Sequence, residues 1–340
     1  MIDKFKTGVL LVNLGTPDSP SVPDVRKYLR EFLMDGRVID FPYVARWALV
    51  NLIIAPFRAP KSAKIYKELW TEDGSPLKIY GLSNEKALQE KLGDSYIVKL
   101  AMRYQNPSIH SKLEEFKVSG INKLIVIPMF PHYASASTGS VFEKVFSELS
   151  AWQVMPELRI VNYFYHYPRL IDGFVQNAKK YMQEHDYEHF LFSYHGLPER
   201  QIRKGDCHGD VCKFSTCCNQ ITPKNQHCYR AQCFETTRLL VKQLGLKEGT
   251  YTTSFQSRLG RDPWIKPYSD YKIKELVESG VKSVLAFSPA FVSDCLETTI
   301  EIGEEYRELF EEYGGEKWQL VESLNDSENW IELLAELVKE

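Results

Sequence analysis

The sequence lacks an apolar run long enough to cross a membrane. The longest apolar stretch, residues 43–57, is interrupted by Arg46, Asn51 and Pro56 and falls short of the roughly 20 residues that a transmembrane helix needs. The apolar run at residues 8–14 is too brief for a signal peptide and leads into a turn rather than a cleavage site. We therefore expect a cytoplasmic protein without a transmembrane helix.

An excess of charge of either sign is also absent. The 340 residues include 42 Lys and Arg against 45 Asp and Glu, which gives a net charge of -3. No broad positive field is therefore available to attract nucleic acid or an anionic membrane. Low-complexity tracts are absent too, and 44% hydrophobic with 26% charged residues is typical of a folded protein. We expect no nucleic-acid partner, and any membrane contact must be local and apolar.

Cysteine is scarce outside one short segment. Six of the seven cysteines lie within residues 207–233, and Cys295 is the seventh. In a reducing cytosol, such crowding indicates metal ligation more than disulfide bonds. Soft thiolate ligands suit both zinc and iron–sulfur clusters.

Short β-rich runs alternate with longer segments of helical periodicity, which predicts parallel α/β units. The alternation occurs twice, so we predict two similar doubly wound, Rossmann-like domains, residues 1–170 and 171–340, with a cleft between them. In each half the first strand runs into a glycine turn, at Gly15 and Gly196. The predicted strands are residues 9–13, 96–100, 123–127, 158–163, 189–194, 251–255, 283–287 and 319–322. The predicted helices are residues 23–33, 85–92, 140–149, 170–184, 235–244, 272–279 and 298–312.

His195 is the first candidate for chemistry. It follows the apolar strand 189–194 and precedes Gly196, where the backbone can turn beneath a ligand. A histidine there can ligate a metal or accept a proton near neutral pH. It can equally be a structural histidine, hydrogen-bonded at a strand end.

A row of acidic residues follows the strand 283–287. If the segment is helical, Asp294, Glu297 and Glu301 share one face. Carboxylates at such short separations repel one another, which raises the pKa of at least one of them unless a cation or a proton lies among them. The row can therefore bind a divalent ion or relay protons. The helix dipole alone would explain Asp294 and Glu297, but it explains Glu301 less well.

Several motifs together resemble the ferrochelatase family. They are Val12-Asn13-Leu14-Gly15-Thr16-Pro17, Gly74-Ser75-Pro76-Leu77, Ser193-Tyr194-His195-Gly196-Leu197-Pro198, the segment 255–264 and the segment 294–301. They occur in the family's order across nearly the whole chain. The resemblance implies a metal chelatase, a lyase of haem biosynthesis that inserts ferrous iron into protoporphyrin IX to form protohaem.

The resemblance also implies roles for particular residues. His195 and Glu297 are expected to face each other across the porphyrin cleft as iron-site residues, while Glu301 and Asp294 carry charge away or deliver iron. Expected porphyrin contacts are Arg58, Lys61, Ser75 and Ser257 for the propionates, with Leu14, Tyr66, Arg103, Tyr104, Tyr133 and Trp264 around the macrocycle. Trp264 could instead anchor a loop, and Arg103 could pair with a local acid. The chain departs from the family at two positions. Cys295 stands where histidine is frequent, and Leu14 stands where some members carry a residue that can approach the metal, whereas leucine can only pack.

Residues 43–57 resemble the family's apolar lip. Their apolar side chains are too numerous for one buried helical stripe, which predicts a patch that dips into a membrane surface. We therefore expect a cytoplasmic enzyme peripherally associated with the inner face of a membrane. The alternative is a helix buried on most sides.

The cysteine-rich segment, residues 207–228, is an insertion relative to typical members, and some bacterial ferrochelatases carry a 2Fe-2S cluster on such a segment. By this resemblance we expect Cys212, Cys217, Cys218 and Cys228 to ligate a cluster, with Cys207 or Cys233 as substitutes. Structural zinc on four thiolates is the alternative.

Other functions remain open at this stage. A related chelatase could use coproporphyrin with iron, or sirohydrochlorin with cobalt. A non-catalytic porphyrin or haem carrier is also compatible with a two-lobed cleft, although it would not need the acidic row behind Glu297. The sequence does not indicate an oligomeric state.

Overall fold

In the part of the chain that the structure describes, eight parallel strands form two four-stranded sheets. The strands are β1 Thr7–Gly15, β2 Tyr96–Tyr104, β3 Lys123–Pro128, β4 Glu157–Ile160, β5 His189–His195, β6 Tyr251–Gln256, β7 Ser283–Phe287 and β8 Lys317–Leu320. Their order is β2-β1-β3-β4 in one sheet and β6-β5-β7-β8 in the other, with parallel pairing throughout. All eight predicted strands are present. The predictions for β4 and β8 were shifted toward the C-terminus, because the apolar residues that follow each strand belong to buried loops.

The computed structural model describes residues 6–258, 260 and 262–340. Leu259 and Arg261, which belong to the motif at 255–264, lie outside the described residues. The chain divides into two compact units, each containing one sheet. Unit 1 comprises the described residues up to Phe130, Ala134–Asn162 and Ile331–Glu340, and unit 2 comprises Pro131–Tyr133 and Tyr163–Trp330.

Helices cover both faces of each sheet. The α-helices of unit 1 are α1 Val22–Leu33, α2 Tyr43–Ala48, α3 Ala55–Leu69, α4 Pro76–Leu92, α5 Ile109–Val118 and α6 Ser140–Leu149. Those of unit 2 are α7 Pro168–Glu184, α8 Glu199–Lys204, α9 Tyr229–Leu244, α10 Ser269–Glu278 and α11 Tyr306–Glu312, and α12 Glu328–Lys339 contains the boundary at Trp330. Sequence periodicity missed α3, α5 and α8. The buried positions of α3 and α5 are few and are interleaved with lysines and glutamates, and α8 has only six residues.

Alternation along the strands produces the two-sided packing. In unit 1, Leu10 and Val12 join a core with α5 and α6, whereas Tyr104 joins a core with α1 and α3. In unit 2, Leu191 lies in a core with α10 and α11, while Tyr194 points to the other face and bonds to Thr237 of α9. Strands buried on both faces are characteristic of parallel sheets. The predicted doubly wound α/β class is therefore confirmed.

Three segments of the described chain are π-helical: Leu49–Ile54, Ser135–Gly139 and Leu296–Glu305. The α-helix predicted at 298–312 is therefore wrong in its first part, since the π-helix runs to Glu305 before α11 begins. Such wide turns are rare and often occur at functional sites. Across the described residues, no helix combines the length and apolarity needed to cross a membrane.

Candidate active site

His195 is the last residue of β5 and is half-buried. A side chain on the next residue, Gly196, would lie 2.6 Å from the carbonyl oxygen of Gln256, so only glycine fits this turn. The His195 Nδ1 lies 2.7 Å from the carbonyl oxygen of Gly196. Because a carbonyl only accepts, Nδ1 must carry the hydrogen, and the lone pair of the neutral ring is then on Nε2. His195 can therefore ligate a metal or accept a proton through Nε2.

Glu301 lies within the π-helix Leu296–Glu305 and interacts electrostatically with His195. The hydroxyl of Ser257 donates to both Glu301 oxygens, at 2.8 and 2.6 Å, and the Gln256 amide donates to Oε2 at 3.0 Å. Burial raises the pKa of Glu301, and the charge of Glu297 adds to this, whereas the Ser257 hydrogen bond and the charge of His195 oppose it. The sequence argument predicted a raised carboxyl pKa in this row. The structure confirms the direction and assigns the main cause to burial.

Ser257 adopts a left-handed backbone conformation, with φ of 64°. This conformation is uncommon for a residue with a side chain and is retained only where surrounding contacts hold it. Here it places the hydroxyl on Glu301, so Ser257 already has a carboxylate partner within unit 2.

Asp294 lies outside the helical row that the sequence suggested. It precedes Cys295, which caps the π-helix, and its carboxylate accepts from the Asn325 side-chain amide at 2.7 Å and the Ser323 amide at 3.2 Å. Glu297 and Glu301 lie within the π-helix. The one-face arrangement therefore holds for two of the three acids, while Asp294 fixes the segment to the loop after β8.

Trp264 packs against the turn that follows His195. A Cβ on Gly196 would lie 3.1 Å from the Trp264 ring, Trp264 forms an isolated bridge with Pro198, and the Ile265 amide donates to the Leu197 carbonyl at 3.0 Å. On another side of the turn, the Tyr229 hydroxyl donates to the carbonyl of His195 at 2.8 Å. The backbone around His195 is thus held by neighbours from two segments of unit 2.

In unit 1, Arg103 is held by a polar network. Its guanidinium donates to Asp35 at 2.7 Å and to the Ser140 hydroxyl at 2.7 Å, and it lies over the Tyr104 ring. Tyr104 is fully buried and its hydroxyl donates to Asp35 at 2.9 Å. Although burial opposes the change, hydrogen bonds from Ser140 and the Arg37 amide, with the charge of Arg103, lower the pKa of Asp35.

The remaining predicted porphyrin contacts fall into four groups. Ser75 is buried and accepts a hydrogen bond from the Thr16 hydroxyl at 3.0 Å. Leu14 and Tyr66 pack half-buried against the same apolar core. Arg58 and Lys61 of α3 are exposed, and no described residue pairs with either. Tyr133 belongs to unit 2, where its amide donates to Gln232 at 2.7 Å.

Four cysteines of the segment 207–233 lie near one another. The Sγ atoms of Cys217 and Cys218 are 3.9 Å apart. A hydrogen bond from the Cys218 thiol, opposed by burial, lowers the pKa of Cys228. Cys212 interacts electrostatically with all three. Among the described residues, no group of three or more histidine, cysteine, aspartate and glutamate side chains is arranged to hold a metal ion.

Each of these four sulfurs has an N–H donor beside it. The pairs are the Phe214 amide with Cys212, the Lys213 amide with Cys217 at 3.3 Å, the Arg230 Nη1 with Cys218 at 3.0 Å, and the Arg230 and Ala231 amides with Cys228. Cys207 is instead exposed, and its thiol donates to the Gly205 carbonyl. Cys233 is buried, and burial raises its pKa well above the usual value. Burial also raises the pKa of Cys212, and the hydrogen bond to Cys228 together with burial raises that of Cys218, so a raised pKa does not set Cys233 apart from the central four.

The segment 43–57, here called the apolar lip, consists of α2, the π-helix Leu49–Ile54 and the start of α3. Only Val50 and Ala55 of this segment are fully buried. Its exposed apolar side chains are Tyr43, Val44, Trp47, Leu52, Ile53 and Phe57. The predicted alternative of a helix buried on most sides is therefore wrong.

Sequence reasoning missed several residues that support the site. Gln256 was quoted only as part of a motif, yet it bonds to both Glu301 and the Glu297 carbonyl. Asp35 gives no signal, because it lies far from Arg103 in the sequence. Tyr229 stands directly after the cysteine insertion, and nothing in a sequence pattern connects its hydroxyl to His195.

Comparisons with known proteins agree with the resemblance in the motifs. A family model described as Ferrochelatase matches residues 6–340. The ferrochelatase of Legionella pneumophila (strain Lens) is 46% identical over 336 residues, which cover 99% of each chain. The ferrochelatase of Coxiella burnetii (strain CbuK_Q154) is 43% identical over 334 residues, covering 98% of this chain and 93% of the relative.

Solved structures share the fold at low sequence identity. SirB from Bacillus subtilis with Fe3+ has a TM-score of 0.54 at 12% identity, covering 98% of this chain and 95% of that chain. The sirohydrochlorin chelatase SirB from Bacillus subtilis subspecies spizizenii in complex with cobalt has a TM-score of 0.52 at 10% identity, covering 98% and 94%. Together with the matched motifs and near-complete coverage by relatives, these findings show that the chain belongs to the ferrochelatase family, the enzymes that insert ferrous iron into a porphyrin in haem synthesis.

Proposed function

We propose that this enzyme inserts ferrous iron into protoporphyrin IX to form protohaem, with His195 and Glu301 receiving the pyrrole protons. The observation that carries the proposal is the pairing of an imidazole whose Nε2 has a free lone pair with a buried carboxyl of raised pKa. Metallation releases both pyrrole N–H protons as iron enters. A site for this reaction therefore needs proton acceptors that operate near neutral pH.

His195 and Glu301 suit the two proton transfers. Nε2 of His195 takes a proton while Nδ1 keeps its bond to Gly196. The raised pKa of Glu301 brings proton binding closer to neutrality, while Ser257 and Gln256 stabilise its anionic form. Because the two groups interact electrostatically, a proton on His195 favours ionised Glu301, and proton transfer between them relieves the charge.

We assign the approach of ferrous iron to Glu297 and Glu301, with His195 as the nitrogen ligand. Because Nε2 has a single lone pair, His195 accepts a pyrrole proton only after the iron has passed from it to the porphyrin. One imidazole and two carboxylates form a weak ligand set for ferrous iron, which suits a metal that must be handed to the porphyrin. The carboxylate of Asp294 is occupied by Asn325 and Ser323. We therefore propose that Asp294 holds the start of the π-helix rather than binding iron.

Porphyrin contacts are proposed in each unit. In unit 1, the unpaired cations Arg58 and Lys61 suit propionate groups, and the remaining proposed contacts are Leu14, Tyr66, Ser75 and Arg103. In unit 2, they are Tyr133, Ser257 and Trp264. Tyr104 is fully buried, so we propose that it supports Arg103 from within the core.

The choice of porphyrin is testable by anaerobic incubation of the purified protein with ferrous iron. We expect kcat/KM to be higher with protoporphyrin IX than with coproporphyrin, since Leu14, Tyr66 and Trp264 offer apolar surface and the unpaired cations are few. Haem formation is followed by absorbance. A higher kcat/KM with coproporphyrin would contradict the substrate assignment and leave the chelatase chemistry intact.

The cysteine insertion supplies the four thiols that a 2Fe-2S cluster needs, and each sulfur has an N–H donor. The described side chains are not arranged to hold a metal ion, so cluster binding requires the four thiols to draw together. Hydrogen bonds to sulfur help to set the potential of such clusters. We propose that Cys212, Cys217, Cys218 and Cys228 hold the cluster, which would supply a stable iron–sulfur core for the insertion. Zinc on the same thiolates is the alternative, and the substitution Cys228→Ser distinguishes zinc from a cluster.

We further propose that the apolar lip binds a membrane surface. Its six exposed apolar side chains all lie within residues 43–57, and exposed apolar clusters mark interaction sites. The lip is too short and too interrupted to span a bilayer, so the binding is peripheral.

Glutamate at Trp47 and Ile53 should abolish membrane binding. Each replacement removes apolar burial and places a charge in the headgroup region, so we expect roughly a tenfold or larger fall in the vesicle-bound fraction. The measurement is flotation with vesicles of phosphatidylethanolamine and phosphatidylglycerol. Val118→Glu is a matched control, because Val118 of unit 1 is apolar and 87% exposed but lies outside the lip. Unchanged flotation of the lip variants would refute the proposal.

A further inference from the structure

Arg230 is a buried cation with an unusual set of partners. The residue is 7% exposed, and its Nη1 donates to the Cys218 sulfur at 3.0 Å. Its Nε and Nη2 both donate to the Lys266 carbonyl, at 3.2 and 3.0 Å. The guanidinium also lies over the Phe234 ring. In the described part of the chain, no carboxylate pairs with it.

A buried charge without a counter-charge is costly, so buried cations are nearly always paired with anions. Among the described residues, the guanidinium N–H groups of Arg230 go instead to the Cys218 sulfur and the Lys266 carbonyl. These hydrogen bonds fix the planar guanidinium between the two groups.

Through its Nε and Nη2 atoms, the Arg230 guanidinium also holds the segment that carries Trp264. Lys266 follows Ile265, whose amide donates to the Leu197 carbonyl, and Trp264 packs on Gly196 beside His195. The Arg230 guanidinium thus donates hydrogen bonds to the cysteine insertion on one side and to the segment 264–266 on the other. A displacement of Cys218 would act through the planar Arg230 guanidinium on the Lys266 carbonyl, two residues from Trp264.

We infer that Arg230 is a positioning residue that couples the Cys218 sulfur to the porphyrin site through the segment 264–266. The inference rests on the proposed function in that Trp264 contacts the macrocycle and Cys218 is a cluster ligand. It assigns the insertion an effect on porphyrin binding, with no electron transfer.

A double-mutant cycle tests the coupling. The measurement is the Kd for protoporphyrin IX without iron, from fluorescence titration of the full chain. We expect Arg230→Met to raise Kd by roughly fivefold or more, Cys218→Ser to raise it similarly, and the double variant to show little further change. Coupled residues give such non-additive effects, whereas independent residues give additive ones.

Two variants make the cycle specific. Arg238→Met is the matched control, because Arg238 lies on the same helix and donates to the backbone carbonyl of Cys218 rather than to its sulfur. Its Kd should stay within about twofold of wild type. Arg230→Lys retains the charge but loses the planar fork, so it should also weaken binding, and it replaces Arg230→Met in the cycle if that variant does not fold.

The outcomes separate this inference from the cluster proposal. Absence of visible iron–sulfur absorbance in the wild type would refute the cluster, while the cycle would still measure coupling between Arg230 and the Cys218 sulfur. Additive effects, or an unchanged Kd in either single variant, would overturn the inference even in a protein with a fully loaded cluster.

Discussion

Replacing His195 with alanine should lower kcat/KM for iron insertion by roughly 10²- to 10⁴-fold, the usual contribution of a positioned general base. The expected loss follows from the hydrogen bond between Nδ1 and Gly196, which leaves Nε2 as the lone pair directed away from the turn. Alanine removes that acceptor and keeps the Gly196 turn. The measurement is anaerobic haem formation at matched protein concentrations.

Glu297→Gln should produce a loss in the same range, because it keeps the size of the side chain and removes its charge. His189→Asn is the control. His189 begins the strand that His195 ends, and burial lowers its pKa to about 4, so it is already neutral at pH 7. We expect this control to retain activity within about twofold. Near wild-type turnover in His195→Ala would exclude His195 as the base, and Glu301 would then be the remaining acceptor.

His195 also illustrates what a sequence can predict about such a site. A continuous apolar strand followed by histidine and glycine locates the residue at the carboxyl end of a parallel strand, and the structure places it there. The tautomer could not be predicted, because it depends on a backbone carbonyl whose direction is set by the turn. Periodicity likewise could not separate the π-helix Leu296–Glu305 from an α-helix, since both have apolar residues at similar intervals.

Contacts between residues distant in sequence were beyond prediction. Arg103 was expected either to bind porphyrin or to pair with a local acid. The structure shows that it pairs with an acid, Asp35, which is 68 positions away. The exposure of the apolar lip was easier to predict. The segment has more apolar side chains than one buried face of a helix can accommodate, and this excess already indicates exposure. Composition therefore predicted the exposed surface, whereas polar networks required the fold.

Replacing Cys228 with serine should abolish the visible absorbance of the purified protein. Cys228 lies at the start of α9, where the Cys218 hydrogen bond and the Arg230 and Ala231 amides favour its thiolate. A serine hydroxyl remains protonated at neutral pH and is a poor ligand for iron of a cluster built on four thiolates. We expect iron and acid-labile sulfide to be lost together with the colour.

Cys207→Ser and Cys233→Ser are the matched controls for this substitution. Cys207 is exposed and its thiol donates to the Gly205 carbonyl, while Cys233 is buried and lies outside the insertion 207–228. Neither belongs to the proposed ligand set. Both variants should keep the full absorbance. If Cys228→Ser kept its colour and either control lost it, the cysteine replaced in that control would take the place of Cys228 in the ligand set. A colourless wild-type protein that contains zinc would show that the insertion binds zinc instead of a cluster, because four thiolates hold zinc without visible absorbance.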